Sequence, residues 1–287
     1  MPYNAEWNDY KIIATGGGEK LELWKDILLL RPDPQVIWPA RSDLLKYPGL
    51  HARYIRSSSG GGSWHYYRQT PSEWTVSWRN LKFKIKPMGF KHTGLFPEQA
   101  YNWAKMIELI RAAKRPVSVL NLFAYTGGAT VACLSAGASV CHVDAAKSMV
   151  ERAGENVRLS GLEDAPVRFI VDDCFKFVQR EIRRGRKYDC VIMDPPSYGR
   201  GPGGELWKLE DGLYGLVGLT RQLLSDRPLF YLINSYTTGL QPTVLKNILG
   251  GVLKGIEGRC EAYELTLPTE EEGIELPCGA SAIFIAG

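Results

Sequence analysis

The sequence predicts an α/β chain: a parallel sheet covered by helices on both faces, preceded by a small β-rich unit. Three observations carry this reading. From about residue 91, strand-length apolar runs alternate with segments of helical spacing, the pattern of repeated βαβ units. Residues 1–90 instead show two-residue periods broken by Gly, Pro and Ser. A length of 287 residues exceeds one average domain and falls short of two. The natural division is therefore a smaller domain over 1–90 and a larger one over 91–287.

In the first part, Trp24–Arg31 and Gln35–Pro39 read as short strands separated by the turn Pro32-Asp33-Pro34. A Ser/Gly loop follows over Ser57–Ser63, and strands resume at Trp74–Trp78 and Leu81–Lys86. Along Leu81-Lys82-Phe83-Lys84-Ile85-Lys86 the apolar residues face one way and three lysines the other. The second part opens with helical spacing over Pro97–Ala113, where Ala100, Trp103, Ala104, Ile107 and Ile110 share a face. Strands are expected at Val117–Phe123, Ser139–Asp144, Val167–Val171, Tyr188–Asp194 and Leu229–Ser235. Between them lie helices Ala129–Ala136, Lys147–Leu159, Cys174–Arg183 and a segment around Leu209–Leu224. Helix Val244–Leu253 and strands Ala262–Leu267 and Ser281–Ala286 close the chain.

Composition narrows the function classes. The hydrophobic content of 45% suits a globular core, and no run approaches the ~18 apolar residues of a membrane span. Met1-Pro2-Tyr3-Asn4 shows no secretory leader, so a cytoplasmic location is expected. The six cysteines form no C-x-x-C pair and the four histidines are scattered, so reduced thiols are expected and no metal site. The net charge of +4 is uneven: residues 1–90 hold 13 Lys/Arg against 8 Asp/Glu, and the remainder is near neutral. A basic appendage of this kind suits a polyanionic partner.

In a parallel sheet, ligands bind outside the carboxyl ends of the strands, near the point where strand order reverses. Asn121 to Gly128 is the turn after the first such strand, and Thr126-Gly127-Gly128 removes side-chain bulk where backbone must approach a ligand. A pair of adjacent glycines is not the G-x-G-x-x-G that cradles a pyrophosphate, which argues for a ligand without phosphates. Asp144 ends the second strand, where a carboxylate can accept both hydroxyls of a ribose. Asp173 ends the third; it either accepts from an adenine amino group or caps the following helix.

These residues carry a resemblance. Asn-Leu-Phe-Ala-Tyr-Thr-Gly-Gly-Ala-Thr at 121–130, Asp144, Asp173 and Asp194-Pro195-Pro196-Ser197-Tyr198 resemble the large-subunit rRNA methyltransferases of the I and K/L types. Lys91-His92-Thr93-Gly94-Leu95-Phe96-Pro97-Glu98-Gln99 is similar to the Thr-Gly-x-Phe-x-x-(Gln/His) segment of that group. The resemblance spans roughly Leu81 to Tyr236; residues 1–80 match no RNA-binding module of the group. It implies a class I, Rossmann-like methyltransferase fold with a seven-stranded, mostly parallel sheet. It also implies S-adenosylmethionine as cofactor and RNA, rRNA in particular, as substrate. Cofactor contacts are then expected from Phe96 and Gln99, from Asn121, Phe123, Ala124, Tyr125, Thr126, Gly127 and Gly128, from Asp144 with Ala145, from Asp173 with Cys174, and from Asp194.

Asp194, Pro195, Pro196 and Tyr198 form the expected catalytic set. The two prolines fix φ and offer no N–H, so the carbonyls of Asp194 and Pro195 project rigidly. Such acceptors suit the amine or ring N–H of a base, and Tyr198 can stack on its face. The plain alternative is a Pro-Pro turn with a capping Asp. Members of the group that methylate cytosine C5 use a cysteine in a Ser-Cys-Ser segment after the fifth strand. Here that stretch is Ile233-Asn234-Ser235-Tyr236-Thr237, and Cys190 lies inside a strand, so a nitrogen acceptor is favoured. Arg53, Arg56, Lys82, Lys84 and Lys86, interleaved with Trp64, His65, Tyr66 and Tyr67, are candidate RNA contacts. Arg200 and Lys208 flank a Gly-rich loop read as a substrate lid or a plain surface loop. A methyltransferase of small molecules or proteins, or an inactive RNA-binding relative, stays open, as does the oligomeric state.

Overall fold

The structure, a computed structural model, describes residues 7–57, 61–89, 91–200 and 206–287, apart from the side chains of Arg200 and Leu206. Met1–Asn4, the Ser58–Gly60 part of the Ser/Gly loop and the Gly201–Gly204 part of the expected lid lie outside the described residues. The chain forms two compact units, one of Tyr3–Ala100 with Thr266–Cys278 and one of Tyr101–Leu265 with Gly279–Gly287. The sequence reading placed a single boundary at 90/91; the chain itself passes between units at 100/101, 265/266 and 278/279. No helix among the described residues is long and apolar enough to cross a membrane.

The first unit is built on β1 (Tyr10–Gly16), β2 (Glu19–Trp24), β3 (Ile27–Pro32), β4 (Leu50–Arg56) and β5 (Gly62–Tyr66), paired in that order. All neighbours are antiparallel except β3 and β4. A separate hairpin, β6 (Trp74–Trp78) and β7 (Leu81–Ile85), is held by the Trp74 indole N–H, which donates to the Trp24 carbonyl at 3.1 Å. The expected strand Trp24–Arg31 is formed from Ile27 onward as β3, while Trp24 ends β2 and Lys25-Asp26 turn the chain between the two. Lys25 adopts φ 60°, and Trp24 pairs with Ile27 across a two-residue loop that lacks the usual Asn-Gly signature. The expected strand Gln35–Pro39 is likewise not one. Its Val36 and Trp38 carbonyls accept from Gly18 and Gly17 as an irregular strap with no ladder. Residues 269–272 line β1, with Glu270 and Glu271 N–H donating to Ile12 and Ile13. Glu272 accepts from the Thr15 N–H at 2.9 Å.

Inside this unit lies a buried charge pair. Arg31 engages Glu22 through two bonds of 2.5 and 2.8 Å, and the Tyr10 hydroxyl donates to Glu22 at 2.8 Å. Burial alone would raise the Glu22 pKa, but the Arg31 guanidinium and Lys20 ammonium overcome it and hold the carboxyl at about 2.

The second unit starts on α1 (Ala100–Ala112) and continues as β8 (Ser118–Leu122), α2 (Gly128–Ser135), β9 (Ser139–Asp144), α3 (Lys147–Leu159), β10 (Val167–Val171), α4 (Cys174–Arg183) and β11 (Cys190–Met193). A short ribbon of β12 (Tyr198–Arg200) and β13 (Leu206–Lys208) precedes α5 (Leu209–Arg221), β14 (Phe230–Ser235) and α6 (Pro242–Val252). The last strands are β15 (Gly258–Pro268) and β16 (Glu275–Ala286), whose connecting end belongs to the first unit. The sheet order is β10-β9-β8-β11-β14-β16-β15, parallel from β10 to β14, with β16 antiparallel to β14. This is the expected seven-stranded, mostly parallel sheet. The strands buried on both faces are the continuous apolar runs: Val191, Met193, Tyr231 and Ile233 form one core with Leu213, Val217, Leu245 and Leu249 of α5 and α6.

Two outcomes are expected. Because the folded pKa of Glu22 lies below its unfolded value, its contribution is present above about pH 4.5 and is lost as pH falls toward 2. Glu22→Gln should flatten the pH dependence of thermal unfolding in that window and cost about 3 kcal/mol at neutral pH by stranding Arg31. At the start of α2, a Cβ on Gly128 would lie 2.5 Å from Cζ2 of Trp103. Gly128→Ala should therefore lower the urea midpoint by an amount equivalent to about 1–3 kcal/mol.

Candidate active site

The strand order reverses between β8 and β11: from β8 the sheet grows one way to β9 and β10, from β11 the other way to β14. Ligands of such sheets bind outside the carboxyl ends at that reversal. The residues there are Phe123–Gly128 after β8, Asp144 and Ala145 at β9, Asp173 and Cys174 after β10, and Asp194–Tyr198 after β11. The structure thus brings most of the sequence-predicted site residues to one edge of one sheet.

The turn after β8 is strained. Phe123, Tyr125 and Gly127 all take positive φ, at 54°, 50° and 83°, and two of them are not glycine. Hydrogen bonds fix it: the Ala124 N–H donates to the Val143 carbonyl at 3.0 Å, and Asn156 donates to the Thr126 carbonyl at 2.8 Å. Phe123 N–H points at the Cys174 sulfur at 3.4 Å. The decisive bond is to Asp144, whose Oδ2 accepts from the Tyr125 N–H and whose Oδ1 accepts from the Ala146 N–H, each at 2.8 Å. Each carboxylate oxygen still offers a second lone pair, so the pair is oriented to receive two hydroxyl donors. That is the donor–acceptor chemistry a ribose requires, and the residues fit the adenosine portion of S-adenosylmethionine. Half-buried Phe175, at the start of α4, adds an aromatic face beside Asp173.

Three expectations change in detail. Gly127 and Gly128 do not only clear space for a ligand. A Cβ on Gly127 would stand 2.8 Å from the Ala153 Cβ, and one on Gly128 would strike Trp103, so packing of α2 against α3 and α1 already requires both. Asp173 is the N-cap of α4, its Oδ1 accepting from the Lys176 N–H at 2.9 Å, because the chain enters the helix there in extended conformation. Asn121 is buried and donates its amide to Thr130 at 3.0 Å, and Thr130 meets His142 Nδ1 at 2.9 Å. Burial holds His142 down at about 3, so this chain is neutral. Phe96 and Gln99 belong to the first unit, flanking a 3₁₀ turn in which the Gln99 N–H donates to the Phe96 carbonyl at 3.1 Å.

The segment after β11 is anchored by atoms that the sequence reading overlooked. Trp207 donates its indole N–H to the Pro196 carbonyl at 2.6 Å, and the Leu209 N–H donates to the Ser197 carbonyl at 3.1 Å. Thr237, after β14, donates its hydroxyl to Ser197 Oγ at 2.7 Å. Pro195 is buried, while Tyr198 is 56% exposed and available to a flat ligand. Polar and aromatic residues in strand-end loops were the available signal for Trp207 and Thr237, but neither lies in a recognisable motif.

The candidate RNA contacts separate into two groups. Arg53 grips Glu19 through bonds of 2.8 and 3.1 Å, and Lys84 pairs with Glu73 at 2.8 Å, so both are engaged within the first unit. Arg56, Lys82, Lys86 and Lys208 are exposed, and the Arg200 side chain lies outside the described residues. All six thiols are held protonated by burial, with Cys133 pushed up to about 12 and Cys190 well above the ordinary range. No group of three or more His, Cys, Asp or Glu among the described residues could hold a metal ion.

Comparison with known proteins agrees with this geometry. A solved S-adenosylmethionine-dependent methyltransferase from Agrobacterium tumefaciens is 32% identical, with a TM-score of 0.92 over 98% of this chain and 92% of that one. The ribosomal RNA large subunit methyltransferase I of Aeromonas salmonicida is 33% identical over 132 residues, which is 45% of this chain and 32% of the relative. The K/L enzyme of Allochromatium vinosum is 30% identical over 159 residues, 54% of this chain and 21% of the relative. The match therefore spans a third or less of these curated relatives. The S-adenosylmethionine-dependent methyltransferase family model matches residues 46–210, more than half of the sequence, and the chain belongs to that family.

Proposed function

We propose that this chain methylates a nucleobase nitrogen of ribosomal RNA. The observation that carries the reading is the Asp194–Tyr198 segment, placed after β11 at the point where the strand order reverses and held through its own carbonyls. When bound, the cofactor supplies an electrophilic methyl group. Asp144 would hold its ribose, and the turn Phe123–Gly128 would hold its methionine portion. Asp194 accepts a hydrogen bond from the acceptor amine, raising electron density on the attacking nitrogen. The Pro195 carbonyl shares that task and Tyr198 stacks on the ring. Alignment supplies most of the acceleration in such a transfer, and no covalent enzyme intermediate is needed.

Protonation of the thiols supports nitrogen over cytosine C5 as the acceptor. Methylation at C5 requires a cysteine thiolate to add to the adjacent ring carbon and activate C5, and burial raises every cysteine of this chain, while Asn234-Ser235-Tyr236 carries none. RNA as the substrate class is supported by the names of the curated relatives and by the excess of positive charge in residues 1–90. Arg56 and Lys86 are exposed and have no carboxylate within ion-pair distance among the described residues, so they are the phosphate contacts of the first unit.

Tritiated methyl transfer to rRNA extracted from cells lacking the gene, with nucleoside mass spectrometry, tests the reading directly. Asp194→Ala should cut turnover by about a hundredfold or more while S-adenosylhomocysteine affinity stays within a few-fold. Equal loss of both would move Asp194 into the cofactor site. For the RNA surface, Arg56→Glu with Lys86→Glu should weaken RNA binding and reduce the salt slope of log affinity by about two. Arg53→Gln, which removes an engaged cation, should leave that slope unchanged.

A further inference from the structure

We infer that Trp207 is the positioning residue of the acceptor segment: its indole N–H fixes the Pro196 carbonyl, and its ring ties that segment to the loops after β8 and β10. The inference rests on the acceptor reading of Asp194–Tyr198. Pro195 and Pro196 have no N–H, so at these two positions the backbone can be held only by accepting. Two of its anchors come from one place, the junction of β13 and α5: Trp207 to the Pro196 carbonyl at 2.6 Å and the Leu209 N–H to the Ser197 carbonyl at 3.1 Å.

The ring has little freedom. It lies 6.3 Å from Phe123 at an interplanar angle of 29°, and 5.3 Å from Phe175 with its edge turned to that ring. Phe123 is one of the two strained non-glycine residues of the turn that Asp144 holds, and Phe175 directly follows Cys174 in α4. On the remaining side α5 presents Gly212, where any Cβ would overlap Cζ3 of the indole. Gly212 lies on a helix, where glycine costs about 1 kcal/mol relative to alanine, so its place here is explained by the ring it admits. A core tryptophan needs only volume. This one is half-buried, spans three strand-end loops and aims its one donor at the segment that holds Asp194.

Trp207→Phe preserves an aromatic wedge and removes the donor. With rRNA from cells lacking the gene as acceptor, kcat at saturating cofactor should fall about tenfold. S-adenosylhomocysteine affinity by calorimetry should stay within threefold, as should the KM for S-adenosylmethionine. Gly212→Ala, which displaces the ring without touching the segment, should lower kcat in the same manner when assayed well below the variant's own thermal midpoint. Wild-type kcat in Trp207→Phe overturns the inference, and so does a loss of cofactor affinity that accounts for the whole loss of rate. The two readings fail separately. Asp194→Ala with undiminished turnover removes the acceptor reading and this inference with it. A collapse in Asp194→Ala beside an unaffected Trp207→Phe removes the inference alone.

Discussion

The carboxylate of Asp144 is the constraint on which the catalytic unit is built. One oxygen closes the turn after β8 through the Tyr125 N–H, and the other closes the entry to α3 through the Ala146 N–H. Between them these bonds hold a turn with positive φ at Phe123, Tyr125 and Gly127, a conformation that costs of order 1–3 kcal/mol at each of the two non-glycine positions. Strain of that size persists only where the surroundings over-determine it, and here they do. Ala124 bonds to β9, Asn156 reaches back from α3, and the glycines leave no room for α2 to sit elsewhere. The group that orients the loop is also the group oriented to accept ribose hydroxyls. On the proposed reading, folding and cofactor recognition would draw on the same two oxygens.

The acceptor side is organised by the opposite polarity. The Asp-Pro-Pro-Ser-Tyr segment offers carbonyls and lacks N–H groups at its two prolines, so its supports are donors: an indole, a backbone amide and a threonine hydroxyl. A rigid array of acceptors is what an amine needs if it is to be held while its lone pair attacks.

The sheet was legible because parallel strands buried on both faces are written as uninterrupted apolar runs, as at Val191–Met193 and Leu232–Ile233, between helices with a 3.6-residue face. The ends of those runs located Asp144, Asp173 and Asp194 without any structure. Side-chain assignment was less legible, since it depends on which neighbour claims a polar group first. Asp173 is claimed by the Lys176 amide, Asn121 by Thr130, Arg53 by Glu19 and Lys84 by Glu73. None of these partners is marked by spacing. The first unit was hardest to read: Lys25 turns the chain with an ordinary residue at positive φ, so the strand expected from Trp24 crosses the turn into β3 and most of β2 goes unread. Trp207 escaped notice for a related reason. Its partners, Phe123, Phe175, Pro196 and Gly212, are contributed by four separate segments and meet only after folding.

Charge shows why such assignments matter for function. Counting residues makes the first ninety positions basic, but a cation inside a bidentate pair is not available to a phosphate. Removing Arg53 from Glu19 or Arg31 from Glu22 would strand a carboxylate, and for the fully buried Glu22 that penalty is several kcal/mol. The Glu22–Arg31 pair is therefore part of the framework, and its charges nearly cancel at a distance. What an approaching polyanion would meet is the smaller set left on the outside, with Arg56 and Lys86 among it; Tyr66 and Tyr67 are exposed as well. Stacking on such rings is indifferent to sequence, and phosphate contacts are as well, so on the proposed reading these residues would supply affinity for RNA but little choice of nucleotide. On the proposed reading, that choice falls to the carbonyls of Asp194 and Pro195, where a single base would be held.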